Sequence, residues 1–500
     1  AGAGLLGSIG AAMSGYRSHW DALLAELRKR QDSATAMGGE ERIARQHQRG
    51  RLTARERVAA LADPGSFREY GALAGGQHPG GRPAVPADGL VAGTLRIDGR
   101  TGVILAEDFT VQGGSIGHPN AAKRARLVRL ALEQGYPLLV LLDGAGERAS
   151  NQDERYPHAP GDLQLLADLQ GRAPIVAIVL GTSAGHGALA AMFADLVIMA
   201  EGSSLFSAGP PLVKAAMGID TSAEALGSAL LHTRDSGVAH QRCSSEAECF
   251  SLARRFLELL AEPDNTAGTG ADPAAAAPRP VDALLDIIPP AVAQPYDMRR
   301  VLAELVDSGS LLELQPDYGR TLIAALARIG GRSCLLIANQ PAVEAGAITR
   351  QAADKATHFI DLAHRFSLPL VSLIDNPGVM PGPAAERSGV LRAAANMFRA
   401  QRHYRGYKVV VTLRKAFGFG SSVMGMNPGD RQVVSLALPG VSLGGIPALG
   451  AAAATGADSG TTEALAAHQS GAWAGADAMA FDRVVDPREL RNELIAALLH

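Results

Sequence analysis

Between residues 90 and 200 short apolar runs alternate with longer stretches in which charges recur at helical spacing. TGVILAED, PLLVLLD, PIVAIVL and DLVIMA have the length and composition of buried strands, and AAKRARLVRLALEQ and GDLQLLADLQ between them read as helices. That alternation predicts an α/β domain built from βαβ crossovers. Ahead of it, residues 15–30 (GYRSHWDALLAELRKR) set Trp20, Leu23, Leu24 and Leu27 at helical spacing among charges, the pattern of an amphipathic helix. A second charged stretch carries Thr53 with Glu56 three residues later, a capping box that starts another helix, and it ends on the turn Asp63-Pro64-Gly65.

The same pattern returns over residues 322–432. Ile97-Asp98-Gly99-Arg100 recurs as Ile329-Gly330-Gly331-Arg332, Lys123 as Lys355, and the run ending at Asp143 as the run ending at Asp375, all at a shift of 232 (375−143). Gly185-His186-Gly187 meets Gly418-Phe419-Gly420 one residue further on, each after a β-branched run. A period this long indicates a duplicated domain, since solenoid units run to roughly 20–50 residues. Two glycine turns on equivalent frames can share one reaction. The Pro-, Ala-, Gly- and Asp-rich stretch at 261–290 reads as a linker between residues 1–260 and 291–500. The Ala/Gly tract at 450–460 reads as a loop or a loosely packed helix end.

Charge balance removes some functions. With 47 basic and 50 acidic residues the net charge is −3, which gives no reason to expect nucleic acid or an anionic membrane as partner. Cys243, Cys249 and Cys334 are too few for a disulfide framework or a four-cysteine zinc site, and a reducing cytoplasm is the expected compartment. The opening AGAGLLGSIGAAM lacks a basic n-region and is too short to span a bilayer.

A strand that ends in a glycine turn and opens into a helix presents unpaired N–H groups at the positive end of the helix dipole, and such a site holds an oxyanion. Gly185-His186-Gly187 and Gly418-Phe419-Gly420 fit this, with glycine allowing a thioester or ureido carbonyl to approach the backbone. Gly181-Thr182-Ser183-Ala184-Gly185 also fits the G-x-S-x-G nucleophile elbow, which makes Ser183 a competing nucleophile, and His186 is a candidate base. There is no HExxH and no GxxxxGK[ST] loop, and GAGLLG at residues 2–7 has no strand before it.

Together these segments resemble the carboxyltransferase (β) subunits of biotin-dependent acyl-CoA carboxylases of the propionyl-CoA and methylcrotonyl-CoA type, in the crotonase superfamily. ARQHQRGRLTARERVAALADPGSFREYG, DFTVQGGSIG, SGVAH, QPYDMRRVL, IANQP, the Asp375-Asn376-Pro377-Gly378 turn, RKAFG and FDRVVDPRELR carry the likeness, in order, from about Ile43 to Leu499. The resemblance implies two tandem crotonase-like (ClpP/crotonase) ββα-superhelix domains, the first on the acyl-CoA side and the second on the biotin side. It implies carboxyl transfer from carboxybiotin to an acyl-CoA through an enolate. The thioester oxyanion hole then falls on Gly185, His186 and Gly187, and the biotin carbonyl hole on Gly418, Phe419 and Gly420. CoA is expected along Gly113, Gly114, Ser115, Ala145 and Gly146, with Lys123 or Arg124 at its phosphates. Biotin carboxylase and the biotin carrier are expected as other chains, and the subunit as a homo-hexamer.

This sequence departs from the family where the usual Gly-Gly of the first hole reads Gly185-His186 and the Gly-Ala of the second reads Phe419-Gly420. Ser422 stands where propionyl-specific members carry an acidic residue, and Glu147 adds a carboxylate beside the CoA turn. Two other readings stay open: a biotin-independent decarboxylase or acyl transferase on a malonyl-type CoA thioester, and an inactive structural subunit of a carboxylase complex.

Overall fold

The computed structural model describes residues 2–76, 84–149, 161–261, 273–427 and 429–499. Among them the two repeats form two eight-stranded sheets of equivalent order. In the first, the antiparallel pair Leu90–Ile97 and Arg100–Glu107 leads into the parallel strands Leu138–Gly144, Ile175–Ala184 and Leu196–Ala200. The short strand Ser204–Phe206 runs beside Thr182–Ala184. In the second, Leu322–Ile329 and Arg332–Asn339 lead into Leu370–Asn376, Lys408–Phe417 and Gln432–Ala437, with Ser442–Gly444 beside Lys415–Phe417. Every residue of Leu138–Gly144 and of Lys408–Phe417 is buried, as parallel strands covered on both faces require.

The repeat reaches into the polar detail. Asp63 accepts the N–H groups of Asp98 and Gly99 at 3.0 and 2.8 Å, and Asp307 accepts those of Gly330 and Gly331 at 2.9 and 2.7 Å. The strand register shifts between Leu142 and Gly144 and again between Ile374 and Asn376. Such irregularities bend a strand end and re-aim the turn beyond it.

By contact the chain divides into a first unit, Ala1–Ala229 with Arg242–Ser251, and a second, Leu230–Gln241 with Leu252–His500. Of the expected linker, residues 262–272 lie outside the described residues, while Val281, Leu284 and Ile287 are buried in the core of the second unit with Val301 and Leu302. The Ala/Gly tract is more ordered than its composition suggests. Helix Ala448–Thr455 stops at Gly456, and a new helix starts at Ser459 with the Asp458 carboxylate accepting the Thr461 N–H at 2.7 Å. The capping box forms as expected, with Thr53 N–H to Glu56 Oε2 at 2.7 Å and Glu56 N–H to Thr53 Oγ1 at 3.3 Å. The amphipathic helix extends over Gly2–Thr35, with Trp20 and Leu23 exposed. Among the described residues no helix is long and apolar enough to cross a membrane, and no acidic, His or Cys cluster could hold a metal.

Each copy is braced by its own lysine in the same way. Lys123 Nζ donates to the carbonyls of Ala87 (3.0 Å) and Leu90, and Lys355 Nζ to those of Gln315 (3.2 Å) and Tyr318 (2.7 Å). Burial outweighs the pull of Glu313 and lowers Lys355 to about 7, and it lowers Lys123 to about 8 against Glu69 and Asp88. The unfolded chain keeps that proton up to about pH 10.4, so from about pH 7 to 10 the unfolded state binds more protons and stability rises with pH. Lys355→Met, followed by urea unfolding across that range, is expected to lose up to about 1.4 kcal/mol per pH unit of this slope. Equal slopes in both proteins would show that Lys355 keeps its charge in the fold.

Candidate active site

Strand Ile175–Ala184 ends in Gly185, whose φ of 57° and ψ of −113° suit only a residue without Cβ. Its N–H is already used, donating to the Phe206 carbonyl at 3.2 Å, and its carbonyl accepts the Leu189 N–H at 2.9 Å. Gly185 is therefore the hinge of the turn and not a donor, a correction to its expected role. The N–H groups of His186 and Gly187 open helix His186–Ala191 and meet no acceptor among the described residues. Beneath them lies Glu107, with Oε1 only 3.2 Å from where a Cβ on Gly187 would stand. Glu107 pairs with Arg124 at 2.6 Å and accepts the Asp143 N–H at 2.8 Å, while burial raises its pKa against the pull of Arg124.

The His186 ring is turned to Asp162 at the start of helix Asp162–Leu169, with Nε2 2.9 Å from both carboxylate oxygens. Burial alone would raise Asp162, but the hydrogen bond and charge of His186 hold it below the usual carboxylate range. The imidazole is thus held by Asp162, while the backbone N–H of His186 stays at the turn.

The second turn is built alike. Gly418 has φ 55° at the end of strand Lys408–Phe417, and its carbonyl accepts Ser421 Oγ at 2.7 Å. The N–H groups of Phe419 and Gly420 begin helix Gly418–Val423 without an acceptor among the described residues. The Phe419 ring is 58% exposed, so it stands out from the turn and does not fill it. Behind, the Asn376-Pro377-Gly378 turn comes so close that a Cβ on Gly420 would lie 2.6 Å from Gly378 Cα. Buried Asp375 is held by Arg414 and Lys415, each at 3.1 Å. Ser422 lies partly exposed on the same short helix.

The residues expected along CoA come together beside the first turn. Ala145 N–H donates to Gly113 O at 3.0 Å, Ile116 N–H to Gly146 O at 2.8 Å and Arg148 N–H to Ile116 O at 3.0 Å, which ties Gly113, Gly114 and Ser115 to Ala145 and Gly146. Gly146 in turn lies against the Ala184 carbonyl, next to Gly185. Lys123 is the exception. Its ammonium is buried on the Ala87 and Leu90 carbonyls, and Arg124 is buried on Glu107 and Asn120, so neither meets solvent or a phosphate. Ser183 sits inside its strand, fully buried, with Oγ lacking any partner among the described residues, so no base is bonded to it there and the elbow reading gains no support. Asp162 and Glu107 were not singled out from the sequence, and nothing local marks them, because each meets its turn only through the fold.

A family model described as carboxyl transferase domain matches residues 45–497. The chain belongs to this family. It is a carboxyltransferase of the biotin-dependent acyl-CoA carboxylase type. The carboxyltransferase is 35% identical over 77% of its length to the methylmalonyl-CoA decarboxylase subunit alpha of Veillonella parvula, covering 76% of that protein. It is 31% identical to the propionyl-CoA carboxylase carboxyltransferase subunit of Haloferax mediterranei, over 95% of both chains. Its fold matches the transcarboxylase 12S crystal structure, a hexamer assembly with methylmalonyl-coenzyme A bound, with a TM-score of 0.88 and 31% identity over 96% of this chain and 95% of that one. The expected crotonase-like α/β fold is thereby confirmed.

Proposed function

We propose that the N–H groups of His186 and Gly187 hold the thioester oxygen of an acyl-CoA, and that those of Phe419 and Gly420 hold the ureido oxygen of biotin. The supporting observation is that each glycine turn leaves two adjacent helix-opening N–H groups without an acceptor among the described residues. Two such pairs suit two carbonyl oxygens, and no side chain among the described residues is bonded to them. Held by the Phe419 and Gly420 N–H groups, carboxybiotin would supply the CO2 and a nitrogen base for the α-proton.

The chain then contributes placement and charge. As the α-proton leaves, negative charge gathers on the thioester oxygen, and two fixed donors stabilise it by about 2.7–4 kcal/mol each, the size seen when such a donor is removed. Gly113, Gly114, Ser115, Ala145 and Gly146 line the approach to the first turn, and Ser422 borders the second. Neither Ser183 nor His186 is needed as nucleophile or base. The working form is a homo-hexamer in which the two holes meet between subunits, served by a biotin carboxylase and a biotin carrier on other chains.

The test is CO2 release from malonyl-CoA and methylmalonyl-CoA by the purified chain, with and without free biotin. Release that requires biotin is expected. Release at the same rate without biotin would replace this reading with a biotin-independent decarboxylase, and no release with either thioester despite thioester binding would favour a structural subunit.

A further inference from the structure

Duplication lets the charges behind the two turns be compared residue by residue. In the first copy Glu107 accepts the Asp143 N–H at 2.8 Å; in the second Asn339, its counterpart at the shift of 232 (339−107), accepts the Asp375 N–H at 3.1 Å. An amide replaces a carboxylate in the same bond. At the shift of 233 found for the glycine turns, Arg414 and Lys415 stand where the first copy has Gly181 and Thr182 (414−181). A Cβ on Gly181 would lie 1.8 Å from Asp143 Oδ1, so the first copy leaves no room for a side chain there.

The net charges therefore differ in sign. Behind the first turn Arg57 and Arg124 meet three carboxylates, Glu107, Asp143 and Glu246, for a net charge of −1 (2−3). Behind the second, Arg414 Nε and Lys415 Nζ each lie 3.1 Å from the one carboxylate of Asp375, for a net charge of +1 (2−1). Arg414 spends Nη1 on the carbonyls of Ala291 and Gln294 at 2.9 and 2.8 Å, and its buried Nη2 has no hydrogen-bond partner among the described residues. Burial lowers the Lys415 pKa, while Asp375 pulls it back up and Arg414 adds to the fall. Burying a second cation on one carboxylate is costly for folding, and such a cost is often kept where the charge is used.

This cluster stands directly behind the second turn. Asp375 precedes Asn376, whose Oδ1 would lie 2.7 Å from a Cβ on Gly420, and Ala416, next to Lys415, pairs with Asn376. Carboxyl transfer creates an anion at a ureido group. When the carboxyl group of carboxybiotin leaves as uncharged CO2, the electron pair of the broken N–C bond stays on the ureido nitrogen and spreads to the ureido oxygen. The same anion is passed in reverse, when the ureido N–H gives its proton to the enolate.

We propose that Lys415 makes the second turn the more electropositive of the two and that its charge stabilises the ureido group as it becomes anionic, a role that rests on the carboxyltransferase reading above. The test compares the full chain with Lys415→Met, Lys415→Met/Asp375→Asn and Asn339→Asp, in the biotin-dependent assay and in equilibrium dialysis of biotin. Lys415→Met leaves Arg414 and Asp375 to cancel and is expected to lower kcat about tenfold. Asn339→Asp keeps the lysine but adds a carboxylate where the first copy has one, and it should lower kcat too. The double variant returns the surplus charge through Arg414 alone and should recover part of the lost kcat. Biotin binds with its ureido group neutral, so its affinity in dialysis should change little, as should KM for the CoA thioester. Biotin affinity that falls in step with kcat, or a double variant no better than Lys415→Met, would show that the lysine only shapes the fold and would overturn the proposal. Should Lys415→Met fail to fold, Asn339→Asp decides. Wild-type kcat in the folded variants, with release still dependent on biotin, would overturn the role of Lys415 and leave the carboxyltransferase reading intact; wild-type release without biotin would remove that reading and this role with it.

Discussion

His186→Pro is expected to slow carboxyl transfer about 10²–10³-fold relative to His186→Ala, the loss found when one oxyanion donor is deleted from an acyl-transfer site. The pair of variants is chosen to separate backbone from side chain. Both remove the imidazole and its bond to Asp162, but only proline removes the N–H. Position 186 opens its helix, where proline's fixed φ is tolerated and where no intrahelical bond is lost. The alanine variant should therefore stay within a modest factor of wild type while the proline variant loses kcat. KM should move less, because the donor matters most when the thioester oxygen carries charge. If alanine proves as damaging as proline, the side chain held by Asp162 is what matters, and the first hole would need another donor. Far-ultraviolet circular dichroism and the melting temperature of both variants check that the short helix survives.

Much of the frame beneath that hole was legible because duplication writes it twice. The shared shift of 232 marks residues that occupy equivalent places in the two copies, Asp143 and Asp375 on strands and Lys123 and Lys355 on helices. The apolar runs named the strands that end at the turns, since a parallel strand buried on both faces must be apolar nearly throughout. What the pattern could not show is where a polar side chain finds its partner. Lys123 sits on a helix whose Arg126, Arg129 and Glu133 face water, yet it turns inward, where the turn at Ala87–Asp88, with φ near 47°, brings the Ala87 and Leu90 carbonyls within its reach. Asp162 reaches His186 from 24 residues away through tertiary packing alone. Gly185 looked like a donor by position, but the short strand Ser204–Phe206, which comes after it in the chain, takes its N–H. Composition also misled at Val281, Leu284 and Ile287, since a Pro- and Ala-rich neighbourhood hides three residues that the second core buries.

Arg57→Met is expected to cost about 3–5 kcal/mol of stability in the first unit, the range for removing one partner of a buried ion pair. Arg57 is fully buried on the capping-box helix and joins two carboxylates. It donates to Asp143 Oδ2 at 2.9 Å, and through Nε and a terminal nitrogen to Glu246 at 3.0 and 2.7 Å. Methionine fills much of the volume, so the loss is chiefly electrostatic. Asp143, completely buried, would keep only the Gln46 amide at 3.1 Å among the described side chains, and burying a carboxylate without its cation is costly. Arg57→Met/Asp143→Asn, with no charge left at that contact, should recover part of the loss at pH 7. Denaturant titrations of the three proteins at pH 7 measure this; no recovery in the double variant would show that packing rather than the stranded charge sets the cost. Because Asp143 leads into the Gly144–Gly146 segment that abuts the Gly185 turn, the single variant is also expected to raise KM for the CoA thioester under conditions where it remains folded.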